Sequence, residues 1–375
     1  MSSTFDVAIV GAGIIGAACA EACAELGMRV ALCDAGAIGA GTTAAAMGHI
    51  VAMDDSDAQW QLSKYSRELW RQRAAALPAS VAWHPCGTLW LAENESDWAT
   101  LEQKTAWLRE HGEHCEVWSR QQLQQHEPLL SSDLLGALRI QEDAVLYPPT
   151  AALMLANNAA QLGATVAPYK AVTQIDAPCI QFADGDRWHA KHIVIAAGLA
   201  SKQWCPELKL VARKGHLLIT PHLSSLPIHH QLVELGYLHS AHGHQSSSVA
   251  FNVQPRPTSQ LILGSSRQFD SADSEVELPV LTQMIQRAKR FIPAIEQWPV
   301  LRTWTGFRPC TPDNLPYIGQ TEHSLWVAAG HEGLGITTSL ATAALLAAQI
   351  GGQTPAIDPT PFYPTRHRLT EPAHV

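Results

Sequence analysis

The feature that most constrains this chain is a glycine turn near its start. Asp6-Val-Ala-Ile-Val10 runs directly into Gly11-Ala-Gly13-Ile-Ile-Gly16. Apolar, mostly β-branched residues at Val7, Ile9 and Val10 predict a strand buried on both faces, as in a parallel sheet. The turn opens a predicted helix that reaches about Leu26, and a second strand follows from Met28 to Asp34. The three glycines serve different physical ends. One allows a tight turn, one a close approach of backbone to pyrophosphate, and one close packing of helix on strand. The helix N-terminus adds free N–H groups and the positive end of its dipole. Asp34 ends the second strand, where a carboxylate can accept hydrogen bonds from ribose hydroxyls. No Arg or Lys stands at positions 35 to 38, so a 2′-phosphate would lack a partner and NADP is not expected. A dinucleotide site is therefore expected at Gly11, Gly13, Ile14, Ile15, Gly16, Asp34 and Ala35.

NAD and FAD differ in reach. Two more glycine turns recur far along the chain: Ala196-Ala197-Gly198 after an apolar run, and Gly330-His331-Glu332-Gly333-Leu334-Gly335 before the Ala-rich helix that begins near Ile336. A helix N-terminus stabilises the negative charge that a reduced isoalloxazine carries. A small-residue stretch, Gly39 to Gly48, adds Gly41, Thr42 and Thr43, whose hydroxyls suit a pyrophosphate or ribityl chain, and then Ala46, Met47 and Gly48. Three separated turns converging on one extended cofactor favour FAD. His49 follows this stretch directly. It is a candidate contact to the flavin ring or to a substrate amine, with a structural role as the alternative.

The charge balance is −9 with a pI near 6.0, and no basic run occurs, which argues against a nucleic-acid partner or an anionic membrane surface. The eight cysteines include no C-x-x-C pair, so a disulfide framework, a structural zinc and an iron–sulfur cradle are not expected. Six histidines fall between His222 and His244, without acids or thiols at ligand spacing, and no metal site is assigned. Val7 to Ala20 lacks the basic flank of a signal peptide. Leu340 to Ile350 is shorter than a bilayer span. A cytoplasmic location is the expectation, with weak peripheral membrane association left open.

Signals for α/β structure lie at both ends of the chain. Between Val211 and Phe269, His, Ser and strand formers predict a mostly antiparallel sheet, followed by a helix from Val280 to Phe291. The expected class is α/β (α+β overall): a Rossmann-like FAD-binding domain made of residues 1–82, 140–212 and 303–375. It is interleaved with a substrate domain of residues 83–139 and 213–302 built on a large, mostly antiparallel sheet.

Six segments together resemble the D-amino-acid oxidase superfamily of FAD-dependent oxidoreductases over nearly the whole chain. They are Asp6–Gly16, Asp34, Gly41–Gly48, Ile193–Gly198, Gly306-Phe-Arg-Pro-Cys-Thr-Pro-Asp313 with Pro316-Tyr-Ile-Gly319, and Gly330–Ile336. Gly264-Ser-Ser-Arg267-Gln-Phe and His331-Glu-Gly-Leu-Gly335 look most like the β subunits of D-hydroxyproline dehydrogenases and opine oxidases, with hydrogen cyanide synthase subunits close by.

The resemblance implies that Arg308 pairs with the substrate carboxylate, a role its bidentate guanidinium suits independently. It also implies that Gly306 lies at the flavin, that the backbone of Val172 holds the adenine, and that Tyr237 begins a segment that supplies a substrate-site tyrosine in relatives. The implied reaction is oxidation of an amino or cyclic imino acid, best cis-4-hydroxy-D-proline or D-proline, to the imine. Hydride leaves Cα for flavin N5, which requires orientation more than a strong base. A glycine, sarcosine or opine oxidase is the enzymatic alternative. A non-catalytic FAD relay subunit in a hetero-oligomer is the other. Redox partner subunits are implied by the resemblance alone.

Overall fold

The computed structural model describes residues 3–224, 228–236, 247–269, 273–321 and 324–366. Tyr237, His242 and His244 lie outside the described residues. The strands of the first half are β1 (Ser3–Val10), β2 (Val30–Cys33), β3 (His49–Ile50), β4 (Thr88–Ala92), β5 (Cys115–Ser119), β6 (Gly136–Ile140), β7 (Ala144–Val145) and β8 (Thr165–Ala167). Those of the second half are β9 (Val172–Asp176), β10 (Cys179–Phe182), β11 (Arg187–Ile195), β12 (Val211–Ile219), β13 (Gln231–Glu234), β14 (Ser247–Pro255), β15 (Leu261–Gln268), β16 (Arg302–Cys310), β17 (Tyr317–Gln320) and β18 (Trp326–Ala329).

The first sheet has the order β17-β18-β11-β1-β2-β8, with β9 and β10 attached beside β11. β18, β11, β1, β2 and β8 are mutually parallel. Val7–Val10 of β1, Ile193–Ile195 of β11 and all of β2 and β18 are apolar because helices cover one face and further apolar side chains the other. The helix Ile14–Glu25 packs against Pro148–Gln161 and Gly335–Ile350. It is rich in Ala and Cys, and these small side chains let the helices approach closely. Glu332–Ile350 is long and apolar enough to cross a membrane by length and composition; here it is the buried partner of helices Ile14–Glu25 and Asp57–Arg73.

The second sheet has the order β16-β12-β15-β14-β13-β4-β6-β5, and only the β13–β4 pair is parallel. Sheet membership differs from the expected division at one consequential place. β16 pairs with β12 from Val211↔Cys310 to Ile219↔Arg302. Residues 303–310, expected with the cofactor domain, therefore belong to the antiparallel sheet, and Arg308 stands on its edge strand.

A buried ion cluster ties the segments between the sheets together. Arg67, on helix Asp57–Arg73, donates from Nη1 to Asp143 at 2.8 Å and from Nη2 to Glu113 at 2.6 Å. Burial pushes Asp143 up to about 6, against the pull of Arg67.

Candidate active site

A cavity of about 550 Å³ is lined by residues of both sheets. At one end stands the first glycine turn. Gly11 has φ +105, and a Cβ there would lie 2.5 Å from the Ala196 carbonyl oxygen at the end of β11, so neither another backbone conformation nor a side chain fits. Gly13 has an ordinary φ of −66, and the nearest atom to a Cβ would be Thr43 Oγ1 at 3.1 Å. A Cβ there would be a tight contact, and the glycine leaves this part of the cavity wall bare. Thr43 Oγ1 accepts the Ile14 N–H at 3.0 Å, one of the free donors of the helix N-terminus. The Asp34 carboxylate accepts from Ala12 N–H at 2.6 Å and Gly36 N–H at 2.7 Å, which fixes it between the turn and the end of β2. Lys170 N–H bonds the Asp34 carbonyl at 2.7 Å and brings Val172 to the same end.

The far end is closed by the turn Gly330–Gly335. His331 is buried, its Nε2 lies 3.0 Å from Thr342 Oγ1, and burial holds its ring down to about 3. Its side chain is thus occupied within the fold, and the backbone of the turn and of the helix start at Gly335 faces the cavity. Of the expected cofactor contacts, all but Gly16 and Gly48 line this one cavity. A Cβ on Gly16 would run into the Gly11 carbonyl, so this glycine serves packing. Gly48, at φ +94, takes a conformation that lets the chain pass the Leu146 carbonyl.

The remaining wall is one face of the antiparallel sheet. Residues reach it from successive strands: Gly306, Phe307, Arg308 and Pro309 on β16, Gly215 and Leu217 on β12, Ser265 and Arg267 on β15. Asn252 on β14, Gln231 and Val233 on β13 and Trp90 on β4 complete it. Among the described residues the Arg308 guanidinium has one hydrogen-bond partner, the Ser266 carbonyl, to which Nη1 donates at 3.1 Å. It lies over Gly215, where a Cβ would come within 2.7 Å of Nη1.

Glu332 pairs with Arg213 Nη1 at 3.0 Å and accepts the Gly333 N–H. Burial alone would raise its carboxyl, but Arg308, Arg267 and Arg213 hold it below the usual carboxylate range. Burial pushes Cys310 up to about 12, so it is a neutral thiol and no nucleophile. His49 Nδ1 lies 2.5 Å from Gln254 Nε2 and 3.2 Å from Gln231 Oε1. Burial brings His49 down to about 4, against the bond to Gln231 and assisted by Arg256 and Arg308, so its ring is neutral at pH 7.

The glycine turns, Asp34 and two helix N-termini along one elongated cavity fit an extended dinucleotide whose second end lies beside an open guanidinium. A family model described as FAD dependent oxidoreductase (DAO) matches residues 6–349. The chain belongs to this family. It is 30% identical to the glycine oxidase of Geobacillus kaustophilus (strain HTA426) over 98% of either chain. It is 24% identical to the hydrogen cyanide synthase subunit HcnC of Pseudomonas aeruginosa, over 100% of this chain and 99% of that one. The crystal structure of the Geobacillus kaustophilus glycine oxidase superposes with a TM-score of 0.87 at 27% identity, over 98% of this chain and 100% of that one. As a DAO-family member the protein is an FAD-dependent enzyme that oxidises amino acids at a CH–NH bond.

Sequence reasoning brought Arg308, His49 and the glycine turns to this cavity but missed Trp90, Leu217, Gln231, Val233 and Asn252. The available signal was weak: the i, i+2 spacing of 215/217, 231/233 and 265/267 marks one sheet face without saying which. Tyr237 falls outside the described residues.

Proposed function

We propose that the protein is a dehydrogenase of a small cyclic imino acid, best cis-4-hydroxy-D-proline or D-proline. One observation carries the reading: Arg308 presents a guanidinium whose one hydrogen-bond partner among the described residues is the Ser266 carbonyl, in a cavity that also has an apolar wall of Val51, Met53, Trp90, Val233 and Leu334. A guanidinium held by a single carbonyl keeps donors for a bidentate carboxylate. The apolar wall suits ring methylenes and keeps water from the reacting carbon.

FAD, held along the glycine turns, Asp34 and the start of helix Gly335–Ile350, would supply the two-electron acceptor for oxidation of the substrate at Cα. The protein's part is orientation. Arg308 fixes the carboxylate, its own position set by Ser266 and by the space over Gly215. Neutral His49 adds no positive charge beside an amine that must lose its proton before oxidation. The product imine then hydrolyses or tautomerises in water. The subgroup resemblance supports transfer of the electrons to partner subunits. Glycine is the second reading, supported by the glycine oxidase relatives.

The test is anaerobic addition of cis-4-hydroxy-D-proline, D-proline and glycine to the purified yellow protein. Loss of the oxidised flavin bands with the cyclic acids supports the reading, and bleaching by glycine alone replaces it with the second.

A further inference from the structure

One row of the antiparallel sheet crosses the cavity in register. Trp90 stands opposite Val233, Val233 opposite Asn252, and Asn252 opposite Gly264. A Cβ on Gly264 would meet Leu217 Cδ2 at 2.6 Å, so Leu217 continues the row on the same face. Four of these five positions are apolar or glycine. Asn252 is the exception: the residue is 6% exposed, it lines the cavity, and its Oδ1 has no hydrogen-bond partner among the described residues. A buried carbonyl oxygen left without a donor is costly, so such an atom in a ligand cavity points to a donor that the ligand brings.

The place of that donor follows from the strands. The Arg308 guanidinium reaches across β12 to the Ser266 carbonyl on β15, and β14 is the next strand. One strand spacing is about 5 Å and one two-residue repeat along a strand about 7 Å. The amide of Asn252 thus stands roughly 8 Å from the guanidinium by the same spacings. A carboxylate bound at one and a hydroxyl bound at the other span a small hydroxylated amino acid. Its ring would lie on the β15 side of Asn252, beside Gly264 and Leu217, with Val233 flanking Asn252 on the other side.

Resting on the imino-acid reading above, we infer that Asn252 is a specificity residue that accepts a hydrogen bond from a hydroxyl on the substrate's ring, remote from the carboxylate. The protein is then a better oxidant of hydroxylated than of unhydroxylated cyclic imino acids. A hydroxyl both donates and accepts, so the amide Nδ2 can serve its oxygen in turn.

The test compares anaerobic flavin reduction by cis-4-hydroxy-D-proline and by D-proline in the wild type, Asn252→Leu and Asn252→Asp. FAD content is measured on each protein to establish folding. The wild type is expected to show the higher kcat/KM for the hydroxylated acid. Asn252→Leu keeps the volume and removes the acceptor, and should cut kcat/KM for the hydroxylated acid about tenfold or more while changing D-proline less than about threefold. Asn252→Asp keeps an acceptor and should retain the preference. An equal loss on both substrates in Asn252→Leu would overturn the inference and assign Asn252 to the amine or the cofactor. So would a preference that survives Asn252→Leu. Failure of the wild type to react with either acid would overturn the imino-acid reading itself, and the inference with it.

Discussion

The two ends of the cavity are built by different rules. The cofactor end is made of contiguous turns, each on a short stretch of chain: Gly11 to Gly16, Gly39 to Gly48, Gly330 to Ile336. The end that holds Arg308 is made of residues that six strands of one sheet bring together from distant parts of the chain. A turn binds through backbone N–H groups and missing side chains, so its requirements are written locally. A sheet face binds through side chains whose neighbours are set by pairing and register. The first kind of site can change little without losing its ligand. The second can change one residue and alter which ligand it prefers.

The largest effect should come from filling the first turn. Gly13→Leu leaves an ordinary backbone conformation but places a side chain beside Thr43 Oγ1 in the phosphate space. The purified protein should be colourless with an unchanged far-UV circular dichroism spectrum; a yellow protein would show that the phosphates lie elsewhere. At the other end, Arg308→Ala should raise KM about 10- to 100-fold, the worth of a charged hydrogen-bonded pair, with FAD content unchanged. Equal loss of FAD and of substrate affinity would erase the distinction between the two ends.

That distinction also accounts for what could be read from the chain alone. The glycine turns, Asp34 and the mostly antiparallel middle were legible because their signals are contiguous: glycines ahead of helices, and apolar runs ahead of glycines. Arg308 was legible because it sits in a Gly/Pro-rich motif. Its strand was not placed with the correct sheet, because the pairing of β16 with β12 joins segments about ninety residues apart and leaves no local trace. Asn252, Gln231 and Val233 were illegible for the same reason. On their own strands they look like any alternating residues, and only the register of β13 with β14 and β4 brings them to one wall.

Two smaller effects sharpen the comparison. Gly215→Ala would put a methyl group within 2.7 Å of Arg308 Nη1, while a Cβ on Gly306 would lie 2.5 Å from Ala45 on the cofactor side. Gly215→Ala should raise KM about tenfold without loss of FAD, consistent with a displaced charged hydrogen bond. Gly306→Ala should instead weaken FAD retention. Measuring FAD content and KM for both variants separates the two.

The smallest effect concerns pH. His49 is held down to about 4 and His331 to about 3 in the fold, both by burial, against an ordinary value of 6.5. Between pH 6.5 and about 4 the unfolded chain therefore binds protons that the folded chain refuses, so stability rises with pH there and is lost on acidification. Each histidine contributes at most about 1.4 kcal/mol per pH unit in that window. The melting temperature should fall steadily below pH 6.5, and His331→Asn should flatten the fall.

The most direct test of the central claim, an amino-acid oxidation in which Arg308 holds the substrate carboxylate beside FAD, is stopped-flow anaerobic reduction of the wild type and Arg308→Ala over a range of cis-4-hydroxy-D-proline concentrations. The account predicts bleaching of both proteins, with the half-saturating concentration raised about 10- to 100-fold in the variant. Coincident concentration curves, with both proteins fully yellow at the start, would contradict it.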